Sequence, residues 1–279
     1  MIAIVDNLNR RNFIKTAGKI TVFGGLLAGV WGFLLEPFMP RRTDISIKLP
    51  HLGGKLTLAQ LSDFHAGPRV ATEIIARAID ITRQANPDIV VITGDFVSHK
   101  PKYAPIVLRE LARLSPPLGI WACLGNHDHW AGRSEVLAQL EKAGINVLNN
   151  RGATIEHWGA RFYLCGVDDI WEGAEDLNAA LADRPPDVPT ILLCHNPDFI
   201  YQAARNKVDL MLSGHTHGGQ VRLPFIGPLV IPSEYGDRFA QGYYQVEGTQ
   251  LYVNRGIGVI TPPIRFGVPP EVTVITLSG

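Results

Sequence analysis

Cysteine is scarce and unpatterned in this chain. Cys123, Cys165 and Cys194 are the only three among 279 residues, and no C-x-x-C spacing occurs. This excludes a disulfide framework or a zinc ribbon as the basis of the fold. Each thiol sits in an apolar, strand-like run, where free cysteine behaves as a small buried hydrophobe. A pairing between two of them stays open should the compartment be oxidising. Neither sign of charge prevails, since 26 basic residues face 26 acidic ones. There is no basic block and no interleaving of basic and aromatic residues, so a nucleic-acid footprint is excluded. The chain also lacks internal repeats, low-complexity segments after residue 43 and a domain linker. Pro185-Pro186-Asp187-Val188-Pro189 is its one stiff stretch and reads as a loop before a strand. What is present, 46% hydrophobic and 19% charged residues, suits one globular domain. A chain this long buries roughly 70–75% of its unfolded surface.

The first 40 residues stand apart. Asn9-Arg10-Arg11-Asn12-Phe13-Ile14-Lys15 resembles a twin-arginine export signal, with an Arg pair, a hydrophobic pair and Lys. An uncharged, Gly-dotted run from Ile20 to Leu35 follows, and Pro37 and Pro40 close it. A charged leader ahead of an apolar run is targeting architecture rather than fold. No A-x-A triplet follows, and the run falls just short of the roughly 20 residues of a comfortable span. Residues 1–40 are therefore expected to be a twin-arginine-type signal or, by preference, an uncleaved membrane anchor. The expected partners are the export machinery and the membrane, and the expected location is the extracytoplasmic face. The folded domain is expected over residues 44–279.

That domain reads as strands alternating with helices. The spacing predicts strands over Leu56–Leu61, Ile89–Thr93, Gly119–Leu124, Phe162–Val167, Ile191–Cys194 and Leu210–Ser213. Helices are predicted from Thr72 to Asn86-Pro87, over Tyr103–Leu114, and from a Ser134 cap to Lys142. Residues 243–277 read as β-hairpins without a long helix.

Five short motifs end on ligand-type side chains: Asp63-Phe64-His65, Gly94-Asp95, Gly125-Asn126-His127-Asp128, His195 and Gly214-His215-Thr216-His217. Alone, His195 would read as a core histidine and Gly125-Asn126 as a turn. Together they offer two Asp, one Asn and four His, a mixed N/O donor set without thiolate that suits two divalent cations sharing a carboxylate. Each follows the end of a predicted strand, where ligands gather in open α/β sheets.

In this order the motifs resemble the calcineurin-like metallophosphoesterase superfamily. Gly214-His215-Thr216-His217-Gly218-Gly219-Gln220, Asn254-Arg255-Gly256-Ile257-Gly258, Pro263-Ile264-Arg265 and Pro270-Glu271 resemble a bacterial, often membrane-linked branch. The resemblance covers about residues 45–277 and implies a four-layer α-β-β-α sandwich. It implies one metal on Asp63, His65, Asp95 and His217, and a second on Asp95, Asn126, His195 and His215. The reaction implied is hydrolysis of a phosphodiester, phosphomonoester or pyrophosphate bond by a metal-bridging water. His127 would assist the leaving oxygen and Asp128 would orient His127. Arg255 and Arg265 are candidates to grip the substrate phosphate.

The run Gly94-Asp95-Phe96-Val97-Ser98 lacks the tyrosine that would ligate ferric iron in purple acid phosphatases. Mn²⁺ is accordingly the metal expected, with Fe²⁺ or Zn²⁺ as alternatives. The leader and the branch-type motifs point to a cell-envelope or lipid-headgroup substrate. The alternatives are a UDP-2,3-diacylglucosamine-type pyrophosphatase and, in another class, a non-catalytic scaffold of the same fold. A scaffold is expected to have lost ligands, and all seven are present. His51, His99, His129 and His157 match no motif and read as surface or loop residues, and Trp130 either walls the site or packs in the core.

Overall fold

The computed structural model of the chain describes residues 2–279, apart from the side chains of residues 2–11, 14, 20 and 21. The side chains of the Arg10-Arg11 pair thus lie outside the described residues. α1 (Ile2–Val30) continues through a π-turn and a 3-10 turn to Phe38. Lys15–Phe38 is 24 residues long and apolar enough to cross a membrane, with 6% of its most apolar window buried. The helical stretch is longer than the uncharged run alone suggests, because its ends are carried by Lys15 and the Glu36-Pro37-Phe38 turn.

Among the described residues, fourteen strands and five further α-helices follow, with short 3-10 turns between them. In chain order they are β1 (Arg41–Lys48), β2 (Lys55–Leu61), α2 (Thr72–Ala85), β3 (Ile89–Thr93), α3 (Ala104–Leu111), β4 (Ile120–Cys123), α4 (Asn126–Lys142) and β5 (Asn146–Val147). Then come β6 (Arg151–His157), β7 (Ala160–Gly166), α5 (Leu177–Ala180), β8 (Thr190–Leu193), α6 (Ile200–Arg205), β9 (Leu210–Ser213), β10 (Arg222–Leu223), β11 (Gly227–Pro228), β12 (Gly242–Val246), β13 (Thr249–Val253) and β14 (Glu271–Ser278).

Twelve of these strands form two six-stranded sheets, ordered β1-β14-β2-β3-β4-β5 and β12-β13-β9-β8-β7-β6, and β10 and β11 pair separately as an antiparallel hairpin. Strands β2 to β5 are parallel, as are β13, β9, β8 and β7. Alternation along one strand supplies two cores. In β3, Val90 and Ile92 pack under α2, α3 and α4, with Ile75, Val107 and Leu140. Ile89 and Val91 face the other sheet, meeting Leu164, Ile191 and Leu210. A third core puts Leu192 and Met211 against Ile200 and Ala203 of α6. Three cores between four layers are the α-β-β-α sandwich that the resemblance implies.

One sequence expectation is extended and another changes. The helix expected from Ser134 to Lys142 is the second part of α4, which is kinked at Gly132 (φ 124°). A first part precedes it from Asn126, with Gly125 as N-cap and the Asp128 carboxylate turned back on the Gly125 amide. Residues 243–277 form one hairpin, β12–β13. The remainder, β14, crosses to the first sheet and pairs with β1 and β2. All three cysteines are free and buried.

Candidate metal centre

Five parallel strands deliver the seven ligand-type residues to one edge. Asp63 and His65 follow β2, Asp95 follows β3, Asn126 follows β4, His195 follows β8, and His215 and His217 follow β9. All seven are buried. Five of them, Asp63, His65, Asp95, His215 and His217, have φ between 47° and 69°. Non-glycine residues are uncommon there, and five of the fourteen found among the described residues gather at this site. Gly125 and Gly214 allow the loops to close: a Cβ on Gly125 would strike the Asp95 carboxylate, and one on Gly214 would strike Ser62 and Asp63.

The donor atoms converge. His65 Nε2 and His217 Nε2 lie 2.9 Å apart, and Asp63 Oδ1 is 3.3 Å from the latter. On the other side, His195 Nε2 lies 3.2 Å from His215 Nδ1. Asp95 stands between the two groups. Its Oδ2 is 3.3 Å from His65 Nε2 and 3.3 Å from His195 Nε2. Its Oδ1 accepts the His127 amide at 2.9 Å. His195 donates Nδ1–H to the Thr93 carbonyl at 2.6 Å, which turns its Nε2 lone pair inward.

Burial alone would raise the Asp95 carboxyl, yet the His195 and His65 imidazoles hold it below the ordinary carboxylate range. His217 does the same for Asp63. Burial drives His215 down to about 3 and His217 down to about 4, whereas for His195 the Asp95 carboxylate outweighs burial and holds the ring well above its ordinary range. Asn126 Oδ1 is buried without a hydrogen-bond partner. Buried polar atoms rarely stay unpaired. Converging lone pairs, paired carboxylates and this orphaned acceptor together form a donor set that fits divalent cations.

Around this centre the structure corrects one expected role. Asp128 does not orient His127: its carboxylate accepts the amides of Val97 at 3.2 Å and Gly125 at 3.1 Å. A carboxylate at the third position of a helix turns back on the cap, so its reach is spent on the backbone. The Ser98 carbonyl orients His127 instead, accepting Nδ1–H at 2.8 Å. Burial pushes the His127 pKa down. Arg265 is wholly buried and donates to the carbonyls of Gly258, Val268, Arg255 and Gly256, with its guanidinium 3.4 Å from His217 Nδ1. Arg255 binds Glu271 through Nε at 2.9 Å.

Other residues at the edge carried no motif in the sequence. Asp168, beyond β7, accepts from His129 at 2.7 Å and from Arg133 at 2.7 and 3.0 Å. Asp169 is buried beside it. The available signal was an Asp pair at the end of a strand, the placement shared by the ligands. His129 is thus a tie between α4 and the β7 loop rather than a free surface residue. Trp130 lies 4.7 Å from the His127 ring and Trp171 lies 4.3 Å from His215, so both wall the site.

The sequence model of the calcineurin-like phosphoesterases matches residues 56–219. The chain belongs to this family. It is a metal-dependent phosphoric ester hydrolase with a mixed α/β fold. It is 35% identical to the metallophosphoesterase YkuE of Bacillus subtilis, over 99% of each chain. It is 32% identical to a metallophosphoesterase of Aquifex aeolicus, over 92% of this chain and 99% of that one. A "Transmembrane protein with metallophosphoesterase domain" from Danio rerio is 33% identical over 89% of this phosphoesterase and 60% of its own length. Among solved structures, TT1561 of Thermus thermophilus shares the fold at a TM-score of 0.50 and 12% identity, covering 72% of this chain and 90% of that one.

Proposed function

We propose that this phosphoesterase uses two Mn²⁺ ions to hydrolyse a phosphodiester, phosphomonoester or pyrophosphate bond of a cell-envelope or lipid-headgroup substrate. One observation carries the two-metal reading: Asp95 Oδ2 stands 3.3 Å from an imidazole on either side. Asp63, His65, Asp95 and His217 would hold one cation, and Asp95, Asn126, His195 and His215 the other. Such a pair supplies Lewis-acid polarisation of a phosphoryl oxygen and lowers the pKa of a water toward about 7.

The chain's own residues supply the rest. With Nδ1–H donated to Ser98, the neutral His127 ring, near His65 and Asp95, carries its lone pair on Nε2. Only once Nε2 is also protonated would the resulting imidazolium give a proton to the leaving oxygen and return to the neutral ring. The α4 amide of His127 fixes Asp95, and Arg265 fixes the loop behind His217. We assign Arg255 and Arg265 to positioning, since both guanidinium groups already have partners inside the fold. Residues 1–40 are proposed as the twin-arginine-type signal or anchor of a catalytic domain over 44–279. A complete ligand set argues against a scaffold role.

The test is metal removal. Chelator-stripped protein is expected to lose hydrolysis of bis(nitrophenyl) phosphate and to regain it with Mn²⁺. Asp95→Asn should be the most damaging ligand change, lowering both turnover and bound metal, because it weakens both sites. Full turnover in metal-free protein would overturn the reading.

A further inference from the structure

We infer that the β10–β11 hairpin and the cavity beneath it form a lipid-docking surface. Through it, an acyl chain of a membrane lipid enters beside the metal centre while the lipid's phosphoester reaches the ligands. This rests on the proposed phosphoesterase reading and names its substrate class.

The hairpin is the first observation. Leu223 to Pro232 contains no charged residue, and Phe225, Ile226, Leu229 and Val230 are 110%, 72%, 57% and 72% exposed. Scattered exposed hydrophobics are ordinary, but a contiguous apolar tip marks a surface that meets something apolar. Directly beneath it lies a cavity of about 300 Å³ that runs from the metal-ligand candidate His217 to Leu229 and Val230, flanked by Ile260, Pro262 and Ile264. Ligand cavities begin at roughly this size.

Connectivity supplies the occupant. The hairpin is stitched to the 260–267 loop, since Val221 bridges Phe266 and the Arg222 amide donates to its carbonyl at 2.8 Å. The same loop holds the end of the apolar helix. The Arg265 amide donates to the Gly32 carbonyl at 2.9 Å, and the Gly267 amide donates to Glu36 Oε2 at 3.0 Å. Sheet register agrees. Arg41 pairs with Glu271 and Gln60 pairs with Thr273, so the chain leaves the helix at the edge that bears Asp63. Metal ligands, cavity mouth, apolar hairpin and membrane-type helix therefore share one end of the molecule. A protein partner would be expected to meet a polar rim around an apolar centre. A bilayer that takes the helix meets this hairpin without one.

The test uses the full chain in vesicles of phosphatidylethanolamine and phosphatidylglycerol. The native thiols are buried, so Phe225→Cys, Val230→Cys and Trp158→Cys can each carry a polarity-sensitive fluorophore. Trp158 is 85% exposed and its carbonyl lies against Gly54, just before β2 and so opposite the metal edge. Probes at 225 and 230 are expected to shift to the blue and to be quenched several-fold more than the one at 158 by lipids with nitroxide-labelled chains. Turnover is read with two esters of one leaving group, long-chain phosphatidyl-nitrophenol and bis(nitrophenyl) phosphate. The lipid ester should be preferred, and Leu229→Arg should cost that preference about tenfold or more, the scale of an apolar-pocket mismatch.

Probes at 225 and 230 as open to aqueous iodide as the probe at 158, including through capture by a soluble protein, would overturn the docking surface. Equal turnover of both esters would overturn the acyl-chain site while leaving the phosphoesterase reading intact. If Mn²⁺-loaded wild type hydrolyses neither, the phosphoesterase reading falls and the acyl-chain assignment with it, and the quenching alone decides the docking surface.

Discussion

His127 and Asp128 are adjacent in sequence, yet they face different partners. His127 is held by a carbonyl across the loop and has a ring nitrogen within 4.8 Å of ligand atoms of His65 and Asp95. Asp128 is closed into the backbone of its own helix cap. His127→Ala is therefore expected to leave both metals bound while slowing turnover by about 10²–10⁴-fold on an alkyl phosphodiester, the usual contribution of a positioned acid. The loss should be smaller on nitrophenyl esters, whose leaving group departs without help. Metal content and turnover on both substrates decide this, and loss of metal would reassign the residue. Six of the seven ligand candidates were legible because each belongs to a short local motif, and His195 was legible only by its place after a predicted strand and its company. Asp128's partner was not, because the Val97 amide reaches it only once two loops have packed. Asp168 and Arg265 were opaque for the same reason: their partners lie 35 residues and more away or on bare backbone.

Strand β14 shows what an element can conceal. Read alone, its eight residues could close a local hairpin, and only the finished sheets show them between β1 and β2. Inside α2, β3 and β9, apolar period and length coincide with the structure, so those elements were legible. The short edge strands were not, since pairing rather than pattern defines them. At the start of β14, Glu271 joins three segments: it accepts from Tyr252 at 2.7 Å and Arg255 at 2.9 Å, and Arg255 in turn reaches Thr43 of β1 at 3.2 Å. Burial alone would raise the Glu271 pKa, but Arg255 holds it below its ordinary 4.5.

A depressed folded-state pKa stabilises above the unfolded value and is lost as pH falls through the folded one. Wild type should therefore lose stability as pH drops below about 4.5. Glu271→Gln should be roughly 1–3 kcal/mol less stable at neutral pH, the scale of hydrogen bonds to a charged group. It should also show a flatter decline in acid. Urea midpoints across pH for both proteins check the sign, and parallel acid declines would remove Glu271 as the cause.

At the scale of the whole molecule, the sandwich could be anticipated from motif order and strand alternation, whereas the orientation of the leader could not. The export proposal gives a direct expectation: Arg10→Lys with Arg11→Lys should trap the protein in the cytoplasm. Fractionation of wild type should find it membrane-pelleting and protease-accessible. Cytoplasmic wild type with residues 1–40 intact would end the targeting argument.

Only Met39 and Pro40 separate the last helical turn from β1, and two residues span about 7 Å at most. With its helix in a bilayer, the domain would be a short-tethered catalyst, unable to sample the bulk aqueous phase. Its encounters would then follow substrate density per unit of membrane area rather than concentration per unit of volume. Diluting a fixed mass of lipid vesicles carrying both enzyme and substrate would leave the rate per enzyme unchanged.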